Sequence, residues 1–189
     1  MARRPRIVIA EDEAIIRLDL KEMLQEEGYE VVGEAGDGET AVKLAEELKP
    51  DLVVLDIFMP VMDGLTAARL IDEKELAAVL ILTAFSERDL VGEATRTGAM
   101  AYLVKPFDRD SLIPAIEVAM ARWAEAQSLA EESKDLSERL ETRKAVERAK
   151  GKLMDDHGLS EHAAFRMIQK QAMQEGLSMR EVAMRILNA

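Results

Sequence analysis

Glu11, Asp12, Asp56, Thr83 and Lys105 each stand where a short apolar run ends, and these residue types together can do chemistry that none does alone. Asp56 closes Leu52-Val53-Val54-Leu55, an uncharged run that reads as a strand buried on both faces. Alone, such an Asp is an ordinary turn residue. Three carboxylates brought together repel one another, which either raised pKa values or a bound cation must relieve. An all-oxygen set favours Mg²⁺, which keeps several waters and takes one or two carboxylates plus a phosphate oxygen. A hydroxyl and an ammonium nearby would bind the oxygens of a phosphoryl group on Asp56, since carboxylates serve as phosphoryl acceptors. The set suits phosphoryl transfer to an aspartate.

The elements that must position these groups follow from the pattern. Arg6 to Ala10 is a short strand, and Ile15, Ile16, Leu18, Leu20, Met23 and Leu24 recur at helical spacing until Gly28 supplies a stop. Val31-Val32 makes a second strand, Asp37-Gly38 starts a helix that Pro50 prevents from continuing, and the strand ending at Asp56 comes next. Leu65 to Lys74 reads as helix, Val79 to Leu82 as strand, and Ser86-Glu87-Arg88-Asp89 as a capped helix start that runs to Gly98. Ala101 to Val104 is a fifth strand, with Lys105-Pro106 at its end. Five alternations with connections too long for hairpins predict an α/β domain: a five-stranded parallel sheet with helices on both faces. The carboxyl ends of its strands share one edge, where open α/β folds place their ligands, so the five scattered residues converge there.

Residues 6 to about 120 resemble the receiver domain of bacterial two-component response regulators, a flavodoxin-like fold. The resemblance implies that Asp56 is the phosphoacceptor. It implies that Asp12 and Asp56 bind Mg²⁺ directly, together with the backbone carbonyl of Phe58, while Glu11 assists through water. Lys105 would pair with the phosphoryl group or with the acceptor carboxylate, and Thr83 would move to hydrogen-bond the phosphate. Tyr102 would turn inward into the space Thr83 vacates, altering the surface of the fifth strand and the helix before it. A cis peptide before Pro106 is expected by the same resemblance. Two residues depart from the common pattern: Glu11 stands where many relatives have Asp, and Phe58 puts a bulky ring two residues after the acceptor.

Composition narrows the remaining choices. The 189 residues are 48% apolar and contain no cysteine, which excludes disulfides and thiolate metal sites. The apolar run after Arg6 lasts only from Ile7 to Ala10, too short for a signal peptide, and no later run could span a bilayer, so a cytoplasmic protein with no membrane partner is expected. The net charge of −12 is unevenly spread: residues 1 to 141 hold 16 Lys and Arg against 31 Asp and Glu, a balance of −15, whereas residues 142 to 189 hold 9 against 6, a balance of +3. An acidic module is joined to one that can approach phosphates.

From Asp110 the helical pattern runs on. Ile113, Ile116, Met120 and Trp123 complete an amphipathic face, and Ala126, Leu129, Ser133, Leu136 and Leu140 then recur at alternating spacings of three and four. This stalk suits a packed connector or a dimer zipper equally. Beyond it, Val146, Ala149 and Leu153 stripe a helix ending at Gly158, Ala164, Met167, Ile168 and Ala172 stripe a second ending at Gly176, and Ser178-Met179-Arg180-Glu181 caps a third. His157 and His162 are too few and too isolated for a metal site. Domain boundaries of 1–120, 121–141 and 142–189 follow.

The stretches Arg143-Lys144-Ala145, Ala149-Lys150-Gly151-Lys152-Leu153-Met154, Ala163-Ala164-Phe165-Arg166, Ala172-Met173 and Glu181-Val182-Ala183 resemble the ANTAR domain, a three-helix RNA-binding module found behind receivers in transcription antiterminators. Lys150, Lys152, Arg166 and Lys170 could then meet phosphates and loop bases, in the shape-plus-edge manner by which RNA loops are read. The resemblance implies a response regulator rather than a turnover enzyme: a sensor histidine kinase phosphorylates Asp56, and tails paired in a homodimer grip stem-loops in nascent transcripts. A DNA-binding response regulator is the alternative, but the third tail helix offers only Arg180, Arg185 and Asn188 as groove readers. A receiver acting through protein contacts is another. A phosphatase of the haloacid dehalogenase type needs a general-acid Asp where Phe58 stands.

Overall fold

The computed structural model describes residues 3–84 and 98–188. In chain order these form β1 (Arg6–Ala10), α1 (Ala14–Glu26), β2 (Glu30–Ala35), α2 (Gly38–Leu48), β3 (Leu52–Asp56), α3 (Gly64–Glu73), β4 (Ala78–Thr83), β5 (Ala101–Val104), α4 (Arg109–His157), α5 (Glu161–Glu175) and α6 (Met179–Asn188). The five strands make one parallel sheet in the order β2-β1-β3-β4-β5. The helix start expected at Ser86 lies outside the described residues.

The chain divides into two compact units, Met1–Ala126 and Gln127–Ala189. In the first, strand alternation sorts the core onto two faces. Val8, Val53, Leu55, Val79 and Ile81 pack with Ala41, Val42 and Ala45 of α2 and Ala67, Ala68 and Ile71 of α3. Their neighbours Ile7, Ile9, Leu52, Val54, Leu80 and Leu82 pack on the other face with Leu20 and Leu24 of α1 and Leu112, Ile116 and Ala119 of α4. Both faces of β3 and β4 are therefore dry, which is why these strands read as continuous apolar runs. On α1, by contrast, Ile15 and Leu18 remain exposed although they share the helical periodicity.

Helix ends follow local chemistry. The Asp37 carboxylate accepts hydrogen bonds from the Thr40 N–H and hydroxyl, both at 2.8 Å, and these hold its pKa below the usual carboxylate value. The sign is that of a depressed acid: the stabilisation is present above the unfolded pKa and is lost as pH falls through the folded one. Asp37→Ala is expected to cost about 1 kcal/mol at neutral pH, and urea unfolding at stepwise lower pH should show the difference from wild type vanishing below the ordinary carboxylate range.

The second unit is helical. α4 continues without a break at 120 or 141, and its last turns, with α5 and α6, enclose a core of Val146, Ala149, Leu153, Ala164, Ile168, Val182 and Ala183. Gly158 and Gly176 take left-handed φ values of 64° and 65° where α4 and α5 stop. The capping box expected at α6 is present: the Ser178 hydroxyl accepts from the Glu181 N–H at 3.2 Å, and the Glu181 carboxylate accepts from the Ser178 N–H at 2.7 Å. Among the described residues no helix is long and apolar enough to cross a membrane.

Candidate functional site

The register of the sheet assembles the site. Ala10 pairs with Leu55, Asp56 with Leu82 and Thr83 with Val104, so the residues that follow or close these strands line up along one carboxyl edge. Glu11, on leaving β1, donates its N–H to the Ala35 carbonyl at 3.1 Å, which holds the chain at the β2 end. The Lys105 N–H donates to the Thr83 carbonyl at 2.7 Å and fixes the start of the turn after β5. From there the Lys105 ammonium reaches across the end of β4 to the Asp56 carboxylate at 2.8 Å and to the Glu11 carboxylate at 2.7 Å. The peptide between Lys105 and Pro106 is cis, as expected.

Glu11, Asp12 and Asp56 each present a carboxylate oxygen within 4.8 Å of the others. Their burial differs: Glu11 is fully buried, Asp56 is 5% exposed, and Asp12 faces solvent. Burial raises the Glu11 pKa, the hydrogen bond from Lys105 opposes that rise, and the Asp56 charge adds to it. Burial also works against the Lys105 ammonium, but its hydrogen bonds to Asp56 and Glu11 outweigh the penalty and hold its pKa above the usual lysine value. Lys105 thus occupies part of the electrostatic role a divalent cation would take. The donor set suits Mg²⁺: three clustered oxygens, one side open to water, and no soft ligand.

Thr83 is fully buried at the end of β4, and Tyr102 is half-buried within β5, against the cluster that contains Val79 and Ile81. Phe58 is 57% exposed in the loop that follows Asp56. That loop is closed by a hydrogen bond from the Gly64 N–H to the Ile57 carbonyl at 2.9 Å. Gly64 has no signal in the sequence as a site residue, yet a Cβ there would stand 1.9 Å from the Asp56 carbonyl oxygen. The Asp-Gly pair that ends the loop is the one hint, and it reads as a helix start rather than as a close approach.

In the second unit the four cations expected to meet RNA are not equivalent. Arg166 and Lys170 are exposed and Lys152 is half-buried. Lys150 departs from the expectation: it is only 7% exposed, and its ammonium bridges Glu147 at 2.9 Å and Glu161 at 2.7 Å, tying α4 to α5. Hydrogen bonds to those two carboxylates hold its pKa high, so its charge is already satisfied inside the fold.

Comparison with known proteins agrees with both halves. Residues 7–117 match the family model of the response regulator receiver domain, and residues 134–187 match that of the ANTAR domain. The chain is 59% identical to the transcriptional regulatory protein PdtaR of Mycobacterium tuberculosis over 94% of its own length and 87% of that protein's. Among solved structures, the signal receiver domain of the response regulator NarL from Mycobacterium tuberculosis superposes with a TM-score of 0.60 at 32% identity, covering 64% of this chain and 98% of that one. CheY from Borrelia burgdorferi, solved in a complex with CheX, BeF3 and Mg²⁺, superposes with a TM-score of 0.55 at 32% identity, covering 59% and 85%.

Proposed function

The chain belongs to the response regulators that join a receiver domain to an ANTAR domain, acting as RNA-binding antiterminators, and from that membership we propose how its residues divide the work. Both domains are regulatory rather than catalytic. In our reading Asp56 takes a phosphoryl group from a phosphohistidine of a sensor histidine kinase: the P–N bond breaks, a P–O bond to the carboxylate forms, and the imidazole leaves. The observation that carries this is the meeting of Glu11, Asp12, Asp56 and Lys105 on one strand edge. Mg²⁺ held by Asp12, Asp56 and the Phe58 carbonyl, with Glu11 assisting, would neutralise phosphoryl charge. Lys105 then exchanges its bond to the acceptor carboxylate for one to the phosphoryl oxygens, the Thr83 hydroxyl reorients toward them, and Tyr102 follows into the vacated space.

The effect on the tail needs a second copy of the chain. Leu129 and Leu136 are 59% and 68% exposed along one row of α4, and a partner stalk would cover them. Functional segments of 1–120, 121–141 and 142–189 correspond to switch, pairing stalk and RNA-binding tail. Pairing raises the effective concentration of the second tail, which suits a grip on stem-loops in nascent transcripts. Lys152, Arg166 and Lys170 supply part of the positive surface. The protein is expected to work in the cytoplasm, beside those transcripts.

Intact-mass measurement after treatment with a small acyl phosphate donor and Mg²⁺ tests the acceptor. One phosphoryl group is expected on wild type and none on Asp56→Asn; equal incorporation in both would reject Asp56. Phe58 bears on the lifetime of that group. A bulky ring two residues after the acceptor would hinder attack by water on the phosphorus, so Phe58→Asn is expected to lose phosphate about tenfold faster, a barrier change of about 1.4 kcal/mol. A decay rate unchanged by the substitution would show that the ring does not shield the site.

A further inference from the structure

α4 and α6 form a groove of about 620 Å³ on the second unit. Leu140, Lys144 and Arg148 line one wall at intervals of four, and Arg180, Met184 and Leu187 line the other at intervals of four and three, so each wall is a single helical row. Arg143 adds a fourth cation at the rim. Two carboxylates also line the groove, and both are engaged: Glu141 pairs with Lys144 at 2.9 Å, and Glu147 pairs with Lys150 at 2.9 Å. Among the described residues no carboxylate lies within ion-pair distance of Arg143 or Arg148. An acidic chain therefore presents a groove of net positive charge with an apolar floor, of a size that suits a small planar ligand.

We propose that this groove is where the tail takes RNA: the guanidiniums of Arg143, Arg148 and Arg180 meet loop phosphates, and an unstacked base lies on Leu140, Met184 and Leu187. This rests on the RNA-binding reading above and adds the surface that carries it. Arginine suits the task because its planar fork binds phosphate in bidentate fashion and its face stacks on bases. Single-stranded loop bases are the part of RNA that side chains can splay out and cover. The groove also differs from the exposed face of α5. There Arg166 and Lys170 are exposed on a helix whose apolar residues Ala164, Ile168 and Ala172 are turned into the core of the unit. On α4, Lys150 is spent on the fold.

The test uses full-length phosphorylated protein and a hairpin RNA selected in vitro from a pool with a randomised loop. Arg148→Gln and Arg180→Gln keep helix-favouring side chains on exposed positions and should leave thermal unfolding nearly unchanged. Each is expected to weaken binding about tenfold in moderate salt and to lower the slope of log affinity against log salt by about 0.7 to 0.9. Arg166→Gln and Lys170→Gln should each have a smaller effect. A 4-thiouridine in the loop should cross-link to peptides spanning 140–148 or 180–187. The groove is overturned if the two groove variants bind as wild type while the α5 variants weaken, or if cross-links map to α5; the RNA-binding reading would survive either result. Failure of wild type to retain any hairpin from the pool would remove that reading and the groove with it. If the groove variants lose RNA binding only because light scattering shows they no longer pair, a second copy is the occupant and the proposal is wrong.

Discussion

Replacing Gly64 with alanine is expected to slow phosphorylation of Asp56 by about 100-fold, although residue 64 touches no phosphate. The N-terminus of α3 approaches the end of β3 so closely that an added Cβ would lie 1.9 Å from the Asp56 carbonyl oxygen and 2.8 Å from its carbonyl carbon. Both are main-chain atoms, so no side chain can swing aside and the strand end itself must shift. Displacing a reacting group by about 1 Å costs on the order of 100-fold in rate. Overpacking of this kind also destabilises by about 1–3 kcal/mol. Phosphorylation rate with an acyl phosphate donor, followed beside urea unfolding, checks both effects. A variant that is destabilised yet phosphorylated at the wild-type rate would show that the β3 end is not held in position by this contact.

Lys105→Gln is the second large effect, and its size depends on metal. Removing the ammonium leaves Glu11, which is fully buried, beside Asp56 with no cation between them. Breaking a buried pair by deleting one partner costs about 3–5 kcal/mol, and the partial exposure of Lys105 places this case at the lower end, about 3 kcal/mol. The Glu11 pKa is already raised, mainly by burial, and loss of the lysine hydrogen bond raises it further. A raised acid stabilises the folded state below its unfolded pKa and loses that contribution as pH rises through the folded value. The defect should therefore grow from acid toward neutral pH in metal-free buffer, and Mg²⁺ should restore most of it at neutral pH. Urea unfolding at several pH values with and without Mg²⁺ measures this. Equal losses in both buffers would mean that Lys105 supports the fold by packing rather than by balancing charge.

The site was legible because its residues interrupt apolar runs. β1, β3 and β5 have the bounds their sequence predicts, and the first polar residues after β1 and β5 and the last residue of β3 carry the site. Val31-Val32 alone mark β2 in the sequence, whereas the strand extends from Glu30 to Ala35, since a strand with half-exposed positions gives a weaker apolar signal. The boundaries at 120 and 141 reflect changes of composition, but with no Pro or Gly between Ala115 and Lys150 nothing in the backbone chemistry stops the helix there, and α4 runs through both. The role of Gly64 is not legible in the sequence because a close approach between segments eight residues apart depends on where the loop after Asp56 lands. Of the partners of Lys150, Glu147 lies one turn back on α4, but Glu161 stands eleven residues on in α5, and only tertiary packing brings it to the ammonium. The same separation hid the groove: Arg148 and Arg180 come from two helices that only tertiary packing brings together.

In the proposed mechanism, phosphate on Asp56 governs the grip of the tail on RNA. The most direct test is the affinity of the full-length protein for a selected hairpin RNA, with and without an acyl phosphate donor and Mg²⁺, for wild type and Asp56→Asn, while light scattering follows mass. Tighter binding with a doubled mass in donor-treated wild type, and no change in Asp56→Asn, is the predicted result. Phosphorylation of Asp56 with RNA affinity unaltered would show that the acceptor does not govern the tail.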